Sequence, residues 1–299
     1  IDREKRNCMS QLGIIVASFG SVYAAAVEKS VDALVEDVNE AYPDAVVERV
    51  FLSPALVEKW NELEEKPVLD LEGALANLEA KGVTEVYIQP MSVVNDPCYQ
   101  DLRRQVSKYV RERIYSFSSI YVGKPLLASL GVKNHVDDYE QSLESIYRHV
   151  GPSAINKTIL LMANGNAQLE YATLQMKALC AGMNNVVVFT SNGFPNFKQS
   201  LQFLRASGHT EVLVVPMAVI GSSHLMDYLG GNRSDSVATL LAEAGYKVDI
   251  WNQGLGENPY IRGLFLKHIN QMMQFVERRK SDGPVDRAQK STVTLIKGA

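Results

Sequence analysis

An internal repeat is the feature of this 299-residue chain that most limits its fold. Segment 82–102 reads GVTEVYIQPMSVVNDPCYQDL, and segment 208–228 reads GHTEVLVVPMAVIGSSHLMDY. At a constant offset of 126 residues, eight positions of the two segments are identical. A weaker pair, GIIVASFG at 13–20 and TILLMANG at 158–165, ends in a small-residue turn in both copies. The repetition indicates two halves with the same order of elements, and the boundary between them is predicted near residue 150.

Each half is predicted to alternate strands with helices. The apolar runs are short and continuous, which is typical of buried parallel strands, and amphipathic stretches lie between them. The predicted strands are 12–18, 46–52, 86–91, 158–163, 186–190 and 212–217, and the predicted helices include 24–41, 71–81 and 196–207. This order predicts an α/β fold with parallel sheets. Ligands of such folds bind outside the carboxyl ends of the strands, so the residues that follow each strand are the candidate site.

Composition sets the domain organisation and excludes some partners. The chain is 46% hydrophobic with a formal net charge of −4, so it can bury a normal core, and nucleic acid is not expected as a partner. No apolar run is long enough for a membrane helix. Segment 278–297 alone carries a net charge of +4. We therefore predict an N-terminal lobe at 10–150, a C-terminal lobe at 151–280 and a flexible basic tail at 281–299.

Three motifs, together with the repeat, resemble a known family. They are Val-Ala-Ser-Phe-Gly-Ser at 16–21, Gly-Lys-Pro-Leu-Leu at 123–127 and Gly-Leu-Gly-Glu-Asn-Pro-Tyr-Ile-Arg at 254–262. The chain resembles the anaerobic cobaltochelatases of cobalamin biosynthesis, which are class II tetrapyrrole chelatases related to protoporphyrin ferrochelatase. The resemblance covers about 12–278. It implies two Rossmann-like lobes that face each other across a cleft and hold a tetrapyrrole between them.

The resemblance also implies where metal insertion would take place, and there the sequence departs from the family. The family has a histidine in Gly-His-Gly, a glutamate three residues before a proline, a second histidine in Gly-Asp-His and an acid in Asp-Glu-Tyr. The matching positions here are Asn164, Asn192, Ser223 and Cys98, and His224 directly follows Ser223. Amides and a serine do not accept a proton near pH 7, and they are poor ligands for Co²⁺ or Fe²⁺. The scaffold therefore favours tetrapyrrole binding, whereas the site disfavours ordinary metal insertion.

The other residues of the predicted cleft suit a macrocycle that already holds its metal. At offset 126, Cys98 matches His224, so we expect these two side chains to face each other across the lobes. Histidine, cysteine, methionine and tyrosine all ligate haem iron. We expect haem or another metallated tetrapyrrole as the cofactor, with His224 as axial ligand, metal ligand and catalytic candidate. The further residues expected at the cofactor are Met91, Cys98, Tyr99, Asn164, Asn192, Phe194 and Ser223.

Three functions remain open from the sequence. The first is a tetrapyrrole-binding protein for haem or iron uptake or handling, since the chain also looks similar to chelatase-like haem-binding lipoproteins of bacterial surfaces. The second is an active chelatase that inserts Co²⁺ or Fe²⁺ with the help of His224. The third is a binding module for a metal or small ligand without a tetrapyrrole. Membrane association through a lipid anchor upstream of Ile1 and a periplasmic or outer-membrane location are expected, with the cytoplasm as the alternative. The oligomeric state is not predicted.

Overall fold

The computed structural model describes residues 11–112, 117–132, 136–163, 165, 167–221, 223–231, 234–281 and 292–295, with the backbone alone at 223–224 and 292–295. Within these ranges, two parallel sheets are flanked by helices. The strands are β1 (Gln11–Ser18), β2 (Val46–Phe51), β3 (Val83–Pro90), β4 (Ser119–Val122), β5 (Thr158–Ala163), β6 (Val186–Thr190), β7 (Glu211–Pro216), β8 (Lys247–Ile250) and β9 (Thr292–Leu295). The first sheet has the order β2-β1-β3-β4-β9, and the second has the order β6-β5-β7-β8. This confirms the predicted α/β fold.

The helices connect successive parallel strands and cover both faces of each sheet. They are α1 (Ala24–Val27), α2 (Ala33–Ala41), α3 (Pro54–Leu63), α4 (Leu71–Ala80), α5 (Pro97–Glu112), α6 (Asp138–Val150), α7 (Gln168–Cys180), α8 (Phe197–Ser207), α9 (Ser223–Gly230), α10 (Val237–Glu243) and α11 (Pro259–Ser281). A π-helical segment, Glu28–Asp32, joins α1 to α2, so the helix predicted over 24–41 is continuous. Gly82 and Gly208, predicted to end α4 and α8, both have φ of 76°, the left-handed conformation that glycine adopts without steric cost.

Hydrogen bonds repeat between the two halves and confirm the duplication. The Met91 N–H donates to the carbonyl oxygen of Ala17 at 2.7 Å, and the Met217 N–H donates to that of Met162, also at 2.7 Å. Each bond ties the residue after the third strand of a half to the end of that half's first strand. Helices α5 and α9 begin at Pro97 and Ser223, again 126 residues apart. The sequence repeat is therefore a repeat of backbone geometry.

One central core joins the two lobes. Alternate residues of β1 point to opposite faces of the first sheet, so Ile14 and Val16 enter the central core while Ile15 and Ala17 enter an outer core of the N-terminal lobe. The second sheet divides in the same way, with Ile159 in the central core and Leu160 in an outer core. The inner faces of both sheets thus contribute to a single apolar interior.

The last helix of each half crosses to the other lobe. Helix α6 packs on α7 through Tyr139, Leu143 and Ile146, which lie in one buried cluster with Tyr171 and Leu174. Helix α11 packs on β3 and α2, and its Met272 and Val276 cover the stacked rings of Tyr87 and Tyr121. The predicted boundary near residue 150 separates the sheets, but α11, assigned to the C-terminal lobe, lies largely against the N-terminal one.

Residues predicted to lie in a flexible basic tail extend the first sheet. Strand β9 pairs in parallel with β4, with Thr292 opposite Ser119 and Leu295 opposite Val122. Its sequence, Thr-Val-Thr-Leu, is rich in β-branched residues, which favour strands. The tail was predicted to be flexible because it is basic. These four residues are uncharged, and they add a strand to the edge that β4 would otherwise leave open. Over the described ranges, no helix is both long and apolar enough to cross a membrane.

Candidate functional site at the lobe junction

The carboxyl edges of the two sheets border the junction between the lobes. Loops that follow strands in both halves bury side chains in the central core. From the N-terminal half these are Met91, Val93, Val94, Leu126 and Leu127, and from the C-terminal half Met217, Val219 and Leu255. The loop after β4 is held by the loop after β3, because the Leu126 and Leu127 N–H groups donate to the carbonyl oxygens of Ser92 and Val93. The residues that follow the strands are therefore fixed at one place.

The motif at 254–262 is a joint between the lobes. A Cβ atom on Gly256 would lie 2.7 Å from the Cβ of Ser30, so only glycine permits this close approach between the halves. The Asn258 side chain donates to the carbonyl oxygen of Ser145 on α6 at 3.0 Å. Arg262 Nε donates to Asp37 on α2 at 2.7 Å, and its guanidinium also reaches the carbonyl oxygens of this turn. The motif therefore positions the two carboxyl edges relative to each other.

The loop after β1 presents an aromatic ring to solvent. Gly20 has φ of 101°, and a Cβ atom there would lie 2.8 Å from the ring of Phe51, so the turn needs glycine. Phe19, directly before it, is 58% exposed although it is a large apolar side chain. Gly165, its counterpart in the second half, has φ of 111°. The tight turn thus places Phe19 at the carboxyl edge of the first sheet.

The loop after β6 presents a second aromatic ring. The Thr190 N–H and Oγ1 both donate to the carbonyl oxygen of Pro195, at 2.7 and 3.0 Å, which closes the loop. Asn196 caps α8 through the N–H groups of Lys198 and Gln199. Phe194 is 46% exposed between these anchors, and Asn192 is exposed beside it. Both predicted residues are therefore accessible to a ligand at the carboxyl edge of the second sheet.

Three of the predicted ligand residues are packed within the protein. Met91 is 4% exposed and lies in the central core, as Met217 does. The Tyr99 hydroxyl donates to the carbonyl oxygen of Gly123 at 3.1 Å, and its ring lies in the outer core. Cys98 packs against that same outer core of its own lobe. The sequence analysis expected it to face His224 across the lobes and did not predict this contact. These contacts favour structural roles, and contact of the three with a ligand stays a prediction.

Burial also sets the protonation state of Cys98. Removal from water, reinforced by the negative charges of Asp96 and Asp101, raises the pKa of its thiol to about 12. A thiol with such a pKa stays protonated near pH 7, and a protonated thiol is a poor metal ligand and a poor base. The group at the position of the family acid is therefore neutral.

Asp96 is a residue of the junction that the sequence pattern did not single out. It lies before the first turn of α5, and its Oδ1 accepts the Tyr99 N–H at 2.7 Å, which caps the helix. Burial raises the pKa of Asp96, and burial, reinforced by the charge of Asp96, raises the pKa of Tyr171 on α7 of the opposite lobe. The sequence does contain a signal for Asp96, the pair Asp96-Pro97 at the start of a predicted helix. The same pair is typical of an ordinary helix cap.

A second polar group lies beside the junction, at the start of α6. Lys124 Nζ donates to both carboxylate oxygens of Asp138 at 2.9 and 2.8 Å, and His268 Nε2 of α11 lies 3.3 Å from the same carboxylate. The neighbouring Asp137 and Glu140 pair with Lys177 of α7. Acidic side chains at one helix start therefore hold a cation from each lobe, a position that also suits the helix dipole.

The last three predicted site residues are Asn164, Ser223 and His224. Asn164 lies outside the described residues. Ser223 and His224 begin α9, where the backbone alone is described, at the carboxyl end of β7. Among the residues with described side chains, no group of three or more His, Cys, Asp or Glu could hold a metal ion. The roles assigned to Asn164, Ser223 and His224 stay predictions.

The fold and the lobe junction define a two-lobed protein of the chelatase type, and comparisons agree. The family model described as cobalt chelatase, CbiK, matches residues 12–274. The chain therefore belongs to the CbiK cobalt chelatase family. It is 27% identical over 266 residues to the sirohydrochlorin cobaltochelatase of Salmonella typhimurium, covering 87% of this chain and 96% of the relative.

Solved structures agree at the level of the fold. The sirohydrochlorin chelatase SirB from Bacillus subtilis subspecies spizizenii, determined in complex with cobalt, superposes with a TM-score of 0.62 at 17% identity. That match covers 90% of this chain and 98% of the other. SirB from Bacillus subtilis with Fe³⁺ has a TM-score of 0.61 at 16% identity, with the same coverage. The resemblance to class II chelatases inferred from sequence is thereby confirmed.

Proposed function

We propose that the chain binds haem or another metallated tetrapyrrole at the lobe junction and does not insert the metal itself. The observation that carries the proposal is the chemistry of four positions. Asn164, Asn192 and Ser223 carry neutral side chains, and Cys98 keeps its proton because burial raises its pKa to about 12. Metal insertion displaces pyrrole protons, so it needs a group that accepts protons near neutral pH. None of these four groups has that property.

The described side chains suit a flat, largely apolar ring. Phe19 and Phe194 are exposed aromatic side chains at the carboxyl edges of the two sheets, where stacking on a macrocycle would remove apolar area from water. The exposed Asn192 amide is suited to hydrogen-bond a carboxylate on the rim of the macrocycle. His224 is the axial candidate, since it begins a helix at the carboxyl end of β7. Haem would supply an iron centre that imidazole ligates.

Haem or iron uptake or handling is the cellular role that such binding suits. We extend the proposal to a periplasmic or outer-membrane-associated location, with the cytoplasm as the alternative. Membrane association would be through a lipid anchor upstream of Ile1. Detection of the native protein in cell fractions, compared with known markers of each compartment, tests this part separately.

A haem titration tests the proposal at the level of single residues. Haem added to the purified protein is expected to produce a shifted Soret band, and His224→Ala is expected to change the band and weaken binding. His209→Ala is the matched control, because His209 precedes β7 at the opposite, amino end of the second sheet. An unchanged spectrum and affinity in His224→Ala would remove His224 as the axial ligand.

The aromatic contacts have their own matched control. Phe19→Ala and Phe194→Ala are each expected to weaken haem binding several-fold, since each removes a stacking surface. Phe275 on α11 is 41% exposed, comparable to Phe194, but it lies beneath Arg279 far along the helix from the junction. Phe275→Ala is therefore expected to bind haem as the unaltered protein does. Equal losses in all three variants would contradict a site at the carboxyl edges.

An active chelatase is the second candidate, favoured by family membership and by the cobaltochelatase named among the relatives. In that case His224 would accept the pyrrole protons, because the Ser223 hydroxyl does not accept a proton near neutral pH. Incubation with sirohydrochlorin or protoporphyrin and Co²⁺ or Fe²⁺, followed by absorbance, separates the candidates. A rate above that without protein would favour the enzyme and reject our proposal. Failure to bind any macrocycle would leave the third function, a binding module for a metal or small ligand.

A further inference from the structure

Two segments that lie far apart in the sequence carry an excess of positive charge. Segments 97–113 and 277–297 each have a formal net charge of +3, although that of the whole chain is −4, so the rest of the chain carries −10. The structure brings the two segments together, because β9, from the second segment, pairs with β4 and packs against α5, which spans most of the first segment. Positive charge is therefore concentrated on one part of the molecule.

The end of α5 lies at the amino edge of the first sheet. The starts of four strands form one row across this edge, made by Leu12, Glu85, Ser119 and Thr292. Helix α5 follows the carboxyl end of β3 and precedes the parallel strand β4, so it runs back along the sheet to this edge. Its last residues include Lys108 and Arg111, both exposed. The first segment thus places two cations at the amino edge.

The end of α11 adds three cations at the same edge. Lys280 pairs with Glu85, which belongs to the row of strand starts. Arg278 and Arg279 precede Lys280 in the last turn of the helix, and all three cationic side chains are exposed. Two helix ends from distant parts of the chain therefore present their cations on one side of the molecule.

Cations outnumber carboxylates on this side. The same two helix ends also contain Glu112 and Glu277, two carboxylates against five cations. Nearer the start of α5, Arg103 and Arg104 line a groove of about 690 Å³ together with the two cations at the end of that helix, and Asp101, which also lines it, pairs with Arg104 at 3.0 Å. Guanidinium and ammonium groups bind phosphate oxygens. We call six of these side chains the basic face: Arg103, Arg104, Lys108, Arg111, Arg278 and Arg279.

The chain enters the first sheet on this side as well. Strand β1 begins at Gln11, which pairs with Val83 at the start of β3. A lipid anchor upstream of Ile1, as proposed above, would be joined to Gln11 through a segment whose ten residues span at most about 35 Å. Such an anchor would hold the amino edge, and with it the basic face, close to the bilayer. This favours a lipid surface over a soluble polyanion as the occupant.

We infer that the basic face docks on a bilayer that contains anionic phospholipids, whose phosphates pair with its arginine and lysine side chains. The inference rests on the membrane-associated location included in the proposed function, and it assigns the surface that meets the membrane. Strand β1 has eight residues, so about 26 Å separates the amino edge of the sheet from its carboxyl edge. The lobe junction would therefore point away from the bilayer and stay open to its ligand.

Vesicle sedimentation tests the inference. The purified chain is mixed at low ionic strength with vesicles of phosphatidylcholine alone, or with vesicles that contain about one quarter phosphatidylglycerol. We expect the protein to bind the anionic vesicles at least about tenfold more tightly, and added salt to weaken this binding, because salt screens exposed charges. Equal binding to both kinds of vesicle, or to neither, would overturn the inference. Duplex DNA at the same phosphate concentration is the competitor, and tighter binding to DNA than to the vesicles would overturn the choice of a lipid surface.

Paired substitutions assign the binding to the basic face. Lys108→Gln combined with Arg111→Gln removes two exposed charges from the end of α5, and Arg278→Gln combined with Arg279→Gln removes two from the end of α11. Each double variant is expected to bind the anionic vesicles about tenfold or more weakly than the unaltered protein. Unchanged binding in both would overturn the assignment.

The matched control removes the same charge from the other lobe. Lys198→Gln combined with Arg205→Gln changes two exposed cations on α8, which packs on the second sheet. This variant is expected to bind the anionic vesicles as the unaltered protein does. An equal loss in all three double variants would overturn the assignment to the basic face, because net charge alone would then explain the binding.

A haem titration of the same preparation separates the inference from the function on which it rests. Haem binding without vesicle binding would overturn the docking surface and leave the tetrapyrrole site intact. Vesicle binding without haem binding would support the docking surface and reject the proposed function.

Discussion

At the scale of single residues, local environment decides what a side chain can do. Cys98 is predicted to occupy the position of a family acid, yet burial raises the pKa of its thiol to about 12, so it behaves as a small apolar side chain. Cys180, at the end of α7, is exposed. The two thiols therefore offer a direct comparison within one molecule.

Alkylation rates test this difference. Iodoacetamide at pH 8 is expected to modify Cys180 much faster than Cys98, because the thiolate reacts and its fraction falls about tenfold for each unit by which the pKa exceeds the pH. Mass spectrometry of peptides after timed quenching measures each cysteine separately. Repetition in denaturant, where burial is lost, is the control and should bring the two rates together. Similar rates in the folded protein would contradict a half-buried, protonated Cys98.

The sequence predicts the position of the candidate site residues relative to the strands, but not the direction of each side chain. Phe194 and Asn192 lie in an exposed loop after a strand, as the rule on carboxyl ends predicts. Tyr99 and Met91 follow the same rule by position, but their side chains turn into cores. Sequence position sets the end of a strand, whereas the direction of each side chain depends on packing between elements that are distant along the chain. Asp96 was not predicted as a site residue, since an aspartate at the start of a helix is typical of a cap.

At the scale of elements, the start of α8 fixes the loop that carries Phe194. Asn196 and Gln199 form a reciprocal cap, in which Asn196 Oδ1 accepts the N–H groups of Lys198 and Gln199 and Gln199 Oε1 accepts the N–H of Asn196. Ser200 adds a hydrogen bond from its hydroxyl to the carbonyl oxygen of Val188 at 2.8 Å. The loop thereby has one anchored end.

Removal of this cap is expected to destabilise the protein measurably. Asn196→Ala should lower the free energy of unfolding by about 1 kcal/mol, since it leaves helix N–H groups without an acceptor. Urea unfolding followed by circular dichroism measures the loss. Asn184→Ala, at an exposed turn before β6, is the control and is expected to change stability little. A loss in the control as large as that in Asn196→Ala would contradict the capping explanation.

Most strands could be predicted from the sequence, and those that could not are short. The buried strands β1, β3, β5 and β7 lie in apolar runs long enough to recognise, and the observed ends differ from prediction by at most three residues. Strands β4 and β8 have four residues each and lie toward the outer side of their sheets, so their apolar pattern is short. Strand β9 follows a charged segment, and for that reason the sequence analysis predicted a tail there and not a strand. Short strands depend on their neighbours more than on their own composition.

At the scale of the whole molecule, a buried polar group links the lobes and responds to pH. Burial lowers the pKa of His268 below its ordinary value, and this outweighs its hydrogen bond to Asp138, while Lys124 adds positive charge. Burial opposes ionisation of Asp138, but hydrogen bonds from His268 and Lys124, together with the charge of Lys124, outweigh it and lower the pKa of that carboxyl. His268 on α11 also meets the ring of Phe265 edge-on. The imidazole is therefore held neutral inside the protein.

This neutrality predicts destabilisation in mild acid. The unfolded chain protonates His268 near its ordinary pKa of 6.5 while the folded chain does not, so the free energy of unfolding should fall as pH drops below 6.5. The slope from this group is expected to reach about 1.4 kcal/mol per pH unit at most. Urea unfolding from pH 7.5 to 5 measures it, and His268→Gln should flatten the profile. His209→Gln, at the amino edge of the second sheet, is the control, and flattening by both variants would refute the assignment to His268.

The crossing of α6 and α11 has a consequence for the origin of the molecule. Each half gives its last helix to the other and receives one in return, so part of the apolar surface of each half is covered by residues of the other. A chain made of one half alone could cover that part of its surface by exchanging the helix with an identical copy. The duplicated gene therefore points to an ancestor that worked as a symmetric pair of short chains. Fusion into one polypeptide then freed the two copies to diverge, which a pair encoded by one gene could never do.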